Sequence, residues 1–211
     1  MNKTYLRRNS FGPNLVVMVC LVAGMAQGTA ITGQLWKVAD AVAQNAVLAN
    51  VPNTAPDVTF DVNAPLNFTS NVSVNAFLLS GGALNINGLA SVLNSPISAS
   101  IIEFTGLVTV TTGQQFTVTH DDGLTLIIGG LPVITVPGPT GPVQTTQTYT
   151  GPSGTLPFTL VYGECCGGSA VLQINLPLQP APSGVPEPAT LTLLTGGCVL
   201  LGLLRIRLHR S

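Results

Sequence analysis

The stretch Gln114–Val136 reads QQFTVTHDDGLTLIIGGLPVITV. It contains three short runs of apolar and β-branched residues, and two glycine-containing dipeptides, Asp122-Gly123 and Gly129-Gly130, separate them. Such runs are typical of half-buried strands, and such dipeptides are typical of the turns between strands. The stretch therefore predicts strand, turn, strand, turn, strand.

Similar strand patterns occur on both sides of this stretch, in Asp57–Val62, Ser100–Thr112, Thr155–Glu164 and Ser169–Leu178. The second of these is expected to form one or two strands, broken near Gly106. Only Lys37–Asn50 has some helical character. Many short strands with regularly spaced turns are typical of an antiparallel β-sandwich or barrel. We therefore expect residues 31–178 to form one all-β domain.

The charges of this body exclude one class of partner. Only 7% of the whole chain is charged, and Lys37 is the only base between Ile31 and Gly184. Seven acids oppose it: Asp40, Asp57, Asp61, Glu103, Asp121, Asp122 and Glu164. An acidic body repels polyanions, so we expect no binding of nucleic acid.

The first 30 residues have the three regions of a secretory signal peptide. Lys3, Arg7 and Arg8 are basic, Asn14–Ala26 is apolar, and small residues follow as far as Ala30. We expect export through the inner membrane and cleavage after Gly28 or Ala30. An uncleaved anchor is the alternative.

The last 33 residues divide into a linker and a membrane-directed segment. Residues 179–185 are rich in proline and small residues, which is typical of a linker. Pro186, Glu187 and Pro188 follow, then an apolar run over residues 189–204 and a basic tail over 205–211. A helix over the apolar run would be about 24 Å long against a hydrocarbon core of ~30 Å. We expect a marginal single transmembrane helix with a cytoplasmic tail.

This C-terminal segment closely resembles the PEP-CTERM sorting signal of Gram-negative bacteria that make exopolysaccharide. The resemblance lies in the order of its parts: Val-Pro-Glu-Pro, an apolar helix with Gly196 and Gly197, and an arginine-rich end. It implies that an exosortase processes the chain near residues 186–188 and that the body reaches the cell envelope, the surface or the matrix. An ordinary tail anchor is the alternative.

The body resembles the lectin-like β-sandwich domain named after anthrax protective antigen. Three stretches carry the resemblance: Thr32–Phe60, Ile102–Gly130 with its Asp-Asp-Gly, and Leu156–Asn175 with its Tyr-x-Glu before a glycine-rich turn. The family often has Trp or Tyr just after Asp-Asp-Gly, where this chain has LTLIIGG. The resemblance implies a β-sandwich that contacts carbohydrate.

Asp121 and Asp122 are the strongest candidates for a functional site. In sugar-binding members of the resembled family, such a pair can be joined by a cis peptide and binds Ca²⁺, which then ligates sugar hydroxyls. Calcium takes six to eight oxygen ligands, so loop carbonyls, amide oxygens or water would have to complete the site. The alternative is a turn before Gly123 in which the two side chains cap backbone N–H groups.

Catalysis is not expected. A glycosidase needs two carboxylates across a cleft. No second acid stands out as a partner for the pair, since Glu103 and Glu164 lie in strand-like runs. The one histidine of the body, His120, is expected to face solvent at a strand end.

Two further features have simple structural interpretations. Cys165 and Cys166 are adjacent and can form a vicinal disulfide on the oxidising side of the membrane, although free thiols or pairing between chains stay open. The single tryptophan, Trp36, is expected in the core. The sequence thus predicts a non-enzymatic protein of the cell surface or exopolysaccharide matrix, either structural or contacting polysaccharide.

Overall fold

The computed structural model describes residues 31–70 and 72–178. These residues form eleven strands, three short α-helices and a 3₁₀ turn at Leu48–Asn50. The strands are β1 Ile31–Lys37, β2 Val58–Val62, β3 Leu66–Ser70, β4 Leu84–Gly88, β5 Ser100–Val110, β6 Gln115–Asp121, β7 Leu124–Ile128, β8 Leu131–Val136, β9 Val143–Thr148, β10 Gly154–Glu164 and β11 Ala170–Ile174. The helices are α1 Asp40–Ala43, α2 Val74–Ser80 and α3 Ala90–Leu93.

The strands form two antiparallel sheets. The larger has the order β4-β2-β1-β5-β10-β7-β8, and the smaller has the order β3-β11-β6-β9. Buried side chains from both sheets belong to one continuous hydrophobic cluster. Because each sheet alternates inward apolar and outward polar residues, packing the two apolar faces together buries both. The expected all-β antiparallel sandwich is confirmed.

An aromatic cluster joins the two sheets. Phe60 and Phe104 come from the large sheet, Phe68 from the small sheet, and Phe77 from α2. The Phe68 ring lies 5.0 Å from that of Phe77 and 5.5 Å from that of Phe104. Phe77 in turn stacks on Tyr162 of β10 at 5.9 Å. Aromatic packing of this kind restricts ring positions, so the cluster holds the Tyr162 ring, and with it the hydroxyl, in place.

The break expected near Gly106 is absent, and β5 runs unbroken through it. Gly106 pairs with Phe158 of β10. A Cβ atom at position 106 would lie 2.8 Å from Cε1 of the Phe158 ring. The ring therefore occupies the space over the glycine, and this packing compensates for the low strand preference of glycine.

Two of the three helices lie where the sequence predicted neither a helix nor a strand. Lys37–Asn50 supplies only the four residues of α1 and the 3₁₀ turn, whereas α2 and α3 lie in a stretch without a predicted element. The signals for α2 were present. Val74, Phe77 and Leu78 have helical spacing and are buried, and the Ser73 hydroxyl caps the helix by accepting from the amide of Ala76.

Three links cross between the two sheets at one end of the sandwich: β6–β7, β8–β9 and β10–β11. Of the two predicted turns, only Gly129-Gly130 closes a hairpin, between β7 and β8. Asp122-Gly123 instead carries the chain from β6 in the small sheet to β7 in the large sheet. The link from β10 to β11 makes the reverse crossing. Asp121 pairs with Val171, and Leu124 pairs with Tyr162, so the β6–β7 and β10–β11 crossings lie side by side.

Across residues 31–70 and 72–178, no helix is both long enough and apolar enough to traverse a bilayer. The expected signal peptide (1–30), linker (179–185) and sorting segment (186–211) lie outside the described residues.

Candidate functional site

The Asp121–Asp122 pair lies at the crossing from β6 to β7. Its peptide bond is cis. The two residues are only 8% and 6% exposed. A buried carboxylate needs hydrogen-bond donors or a cation, because removing it from water is costly. The surroundings of the pair therefore decide what it can do.

The Asp122 carboxylate is held by two backbone amides. Its Oδ1 accepts from the amide of Thr140 at 3.1 Å, and its Oδ2 accepts from the amide of Cys165 at 2.8 Å. Hydrogen bonds from amides to a carboxylate are strong and directional. These donors come from two segments far from Asp122 in sequence, and not from a local turn. Asp122 thus ties the β8–β9 loop and the β10–β11 link to the crossing.

Buried side chains hold the two backbone carbonyls of the pair. The Tyr162 hydroxyl donates to the carbonyl of Asp121. His120 Nδ1 lies 2.6 Å from the carbonyl oxygen of Asp122. A carbonyl only accepts, so Nδ1 carries a proton, and Nε2 lies 2.9 Å from the Thr145 hydroxyl oxygen. These bonds orient the main chain from which both carboxylates project.

The expectation that His120 faces solvent was wrong, since it is 2% exposed. Along β6 the buried side chains alternate as Phe116, Val118 and His120. The wrong expectation came from the position of His120 at the strand end, because the alternation of buried side chains continues to the end of β6.

Glu164 is the third acid of the site, and the sequence interpretation missed its place there. It ends β10, is 1% exposed, and its Oε2 lies 2.8 Å from the oxygen of the Tyr162 hydroxyl. Burial raises its pKa to about 8, and the charges of Asp122 and Asp121 add to the rise. Hydrogen bonds from Tyr162 and from the backbone of Asp122 act in the opposite direction. Its position two residues after a tyrosine, in Tyr-x-Glu, was the available signal.

Within the described residues, the Asp121–Asp122 pair has no hydrogen bond from a basic side chain, and Lys37 attracts only Glu164 of the cluster. The pKa of Asp121 is raised to about 6, mainly by burial and in addition by the neighbouring Asp122 carboxyl. The only base of the body, Lys37, donates its ammonium protons to the carbonyls of Pro96 and Ser98 and to the Ser100 hydroxyl. A cation at the pair would relieve the repulsion between the carboxylates.

Backbone oxygens of the β8–β9 loop lie close to the pair. A Cβ atom on Gly123 would lie 2.1 Å from the carbonyl oxygen of Pro137 and 2.8 Å from that of Gly138. Beside them runs a groove of about 360 Å³, lined by His120, Pro137, Gly138, Pro139, Thr140 and Thr145 among others. The loop carbonyls thus lie against Gly123, the residue after the pair, and Thr140, whose amide binds the Asp122 carboxylate, lines the groove.

These donors suit calcium better than a transition metal. In the described part of the chain, no group of three or more His, Cys, Asp or Glu side chains is arranged to hold a metal ion. Zinc sites are built from such side chains, whereas calcium takes carboxylates together with backbone carbonyls and water. The pair and the neighbouring loop fit part of a calcium site.

The remaining sequence candidates divide between the site and the core. Cys165 and Cys166 are joined by a disulfide in the link next to the pair. Trp36 is 4% exposed and donates its indole N–H to the carbonyl of Thr54 at 3.0 Å, as a core residue should. Glu103 lies within β5, paired with Gln34 and Val161, and not at the crossing.

Comparison with known proteins places this fold. No family model matches the chain, and no match appears among curated proteins. Two solved structures are similar over most of the body. The PA14 sugar-binding domain from an RTX adhesin has a TM-score of 0.55 and 23% identity, covering 71% of this chain and 90% of that one. The PA14 domain of the MpAFP antifreeze protein has a TM-score of 0.52 and 23% identity, covering 74% and 84%. PA14 is the protective-antigen type of domain, and residues 31–178 are similar to these structures in fold.

Proposed function

We propose that residues 31–178 form a calcium-supported carbohydrate-binding domain of an exported, non-enzymatic surface or matrix protein. One observation carries the proposal: Asp121 and Asp122 are buried together, Asp122 binds the amide of Thr140 in the lining of an open groove, and the ammonium group of the only base of the body binds other residues. Calcium bound there would supply positive charge and coordination positions for sugar hydroxyls.

The residues of the chain have separate roles in this proposal. The carboxylates of Asp121 and Asp122 ligate the cation. Tyr162 and His120 hold the backbone of the pair, and the Thr140 amide holds the β8–β9 loop against it. A site prepared in this way binds with little ordering of its own groups. The sugar-binding adhesin domain among the similar structures supports the same function.

The sorting of the protein is part of the proposal and rests on its sequence. Pro186, Glu187 and Pro188, with the apolar run and basic tail after them, would direct an exosortase to the chain at the inner membrane. Release would place the body in the envelope or in the exopolysaccharide matrix. Polysaccharide is then the polymer that the domain meets there.

A second candidate is a purely structural envelope protein in which the pair only fastens the crossing. The two hydrogen bonds from backbone amides to the Asp122 carboxylate favour this structural role, because they join three separate segments without any metal. A glycan-active enzyme has less support. The nearest further acid, Glu164, is buried and bonded to Tyr162, so it does not reach a substrate in the groove.

The test is a thermal melt of the full chain in mild detergent, first with calcium and then with excess EDTA. We expect calcium to raise the melting temperature by several degrees, as binding to the native state requires. The double variant Asp121→Asn/Asp122→Asn should lose this rise. The control variant Asp57→Asn/Asp61→Asn removes the same amount of charge, at Asp61 in β2 and at Asp57 just before it. This variant should keep the calcium-dependent rise in melting temperature.

A calcium response equal in all three proteins would show that the cation acts elsewhere. The absence of any response in the unaltered protein would favour the structural candidate. If only the Asp121→Asn/Asp122→Asn variant loses the calcium-dependent rise, binding of the protein to methyl glycosides and dextran should be measured next. Calcium binding without sugar binding would mean that the site is structural.

A further inference from the structure

Sugar sites combine polar groups that bind hydroxyls with an apolar surface that packs on the C–H face of the ring. Aromatic side chains usually supply that surface. All nine aromatic residues of the described part are buried, with at most 4% of any one exposed: Trp36, Phe60, Phe68, Phe77, Phe104, Phe116, Tyr149, Phe158 and Tyr162. Leu124, which follows Asp-Asp-Gly, is fully buried as well. An apolar contact at this site therefore has to come from another kind of group, and two lie near the pair: the aliphatic lining of the groove, with Val136, Pro137, Pro139 and Val143, and the Cys165–Cys166 disulfide.

The Cys165–Cys166 disulfide lies next to the pair and is partly open to solvent. The amide of Cys165 donates to the Asp122 carboxylate at 2.8 Å, and the Cα atom of Cys166 is 3.8 Å from that of Cys165. Cys165 is buried, whereas Cys166 is exposed. A Cβ atom added to Gly167 or Gly168 would meet nothing within 4 Å, so the space around this link is open.

Two contacts hold the disulfide in place. Cys165 is fixed by the hydrogen bond from its backbone amide to the Asp122 carboxylate, and the side-chain amide of Gln44 donates to Cys166 Sγ at 3.3 Å. Sulfur is polarisable and apolar, so a fixed disulfide offers dispersion contacts without hydrogen-bonding demands. Gln44 is exposed beside it and carries an amide group that can also bind a hydroxyl.

We propose that the Cys165–Cys166 disulfide is the apolar contact surface for a neutral pyranose whose hydroxyls bind calcium at Asp121 and Asp122. The inference rests on the proposed function and adds the residues that select a sugar ring. A neutral sugar is favoured because the body has one base against seven acids, which disfavours uronic acids and sulfated sugars. The exposed Cys166 makes the contact, and Gln44 flanks it.

The test compares sugar and calcium binding in the full chain and in Cys165→Ser/Cys166→Ser. This variant removes the disulfide and keeps the Cys165 amide that binds Asp122. The probes are the methyl glycosides of glucose, galactose, mannose and fucose, with saturation-transfer NMR for sugar contacts and calorimetry for calcium. We expect sugar affinity to fall about tenfold, the effect of about 1.4 kcal/mol, while calcium affinity stays within about twofold.

Two further samples separate contact from folding. Dithiothreitol opens the disulfide of the unaltered protein to two thiols and is itself oxidised to a cyclic disulfide, and it should reproduce the loss of sugar affinity reversibly. Cys165→Ser/Cys166→Trp places an aromatic ring at the exposed position and should restore sugar binding. The saturation transfer should be strongest on ring C–H protons in the unaltered protein.

Each outcome decides between the two proposals. Equal sugar affinity with and without the disulfide would overturn the contact and leave the calcium lectin standing. A parallel loss of calcium affinity would also overturn it, because the disulfide would then only position Asp122. An unaltered protein that binds none of the glycosides would sink the proposed function, and the contact with it.

Discussion

Replacing Gly123 by alanine is expected to lower the free energy of unfolding by about 3 kcal/mol, the upper end of the usual cost of overpacking. The new Cβ atom would lie 2.1 Å from the carbonyl oxygen of Pro137 and 2.3 Å from its carbonyl carbon. Both are backbone atoms, so no side-chain rotation relieves the overlap. The crossing would have to move away from the β8–β9 loop.

The surrounding hydrogen bonds resist that movement. The amide of Ala46 donates to the Pro137 carbonyl at 3.0 Å, and the amide of Gly163 donates to the Gly123 carbonyl at 3.0 Å. If the loop shifts, the Thr140 amide also withdraws from the Asp122 carboxylate, so calcium binding should weaken along with stability. Urea unfolding and calcium calorimetry measure the two effects.

Gly138→Ala is the matched control in the same loop. A Cβ atom there would meet nothing within 4 Å, and the backbone of Gly138 does not adopt a positive φ. We expect a change in unfolding free energy within about 0.5 kcal/mol, as for an ordinary surface position. Similar stabilities for the two alanine variants would refute the close packing between the crossing and the loop.

Raising the pH in the absence of calcium is expected to destabilise the protein between about pH 4 and about pH 8. The pKa shifts of Asp121 and Glu164 sum to roughly 8 kcal/mol, and after a discount for solvent screening we expect a loss on the order of 3 kcal/mol. The folded pKa values of Asp121, about 6, and Glu164, about 8, exceed those of unfolded carboxyls. The native state therefore binds more protons than the unfolded state in this window. The resulting stability is complete below the unfolded pKa values and is lost as the pH rises through the folded ones.

Several charged or titratable groups surround the two acids. Asp122 and the Tyr162 hydroxyl face them, and Lys37 attracts Glu164 from β1. Burial also raises the pKa of Glu103, which acts in the same direction. Melting temperatures measured in EDTA across the window should fall by roughly 10 °C.

Two variants divide the pH effect. Glu164→Gln should remove most of the loss above about pH 6, and Asp121→Asn should remove most of the loss below it. A melting temperature that stays level or rises with pH in the unaltered protein would contradict the buried, uncompensated state of these acids.

The strands around the Asp pair could be predicted because their local pattern carries the information. Gln114–Val136 contains β6, β7 and β8 nearly at their predicted positions, since alternation and glycine turns are properties of neighbouring residues. The same patterns were weaker elsewhere. β9, with the sequence VQTTQT, is an edge strand with little apolar alternation, so a search for buried faces passes over it.

The composition of the site could be predicted only in part. Asp121 and Asp122 stand out as an adjacent pair in a chain with few acids. Glu164 joins them from 42 positions beyond Asp122 in sequence, through the pairing of β10 with β7 and of β11 with β6. His120 lies under the pair because the inward face of β6 extends to the strand end. The Tyr-x-Glu spacing and the alternation along β6 are local signals for these two residues, but neither shows that they meet at the Asp pair.

The sequence by itself determined the all-β class, the positions of most strands, the acidic body and the adjacent carboxylates, because each depends on residue type and short-range spacing. Only the tertiary structure decided that β6 and β7 enter different sheets, that the β6–β7 and β10–β11 crossings lie together, and that Cys165 and Thr140 bind Asp122. Strand partners are selected by the burial of whole faces against each other. That free energy belongs to pairs of distant segments, and no single segment contains it.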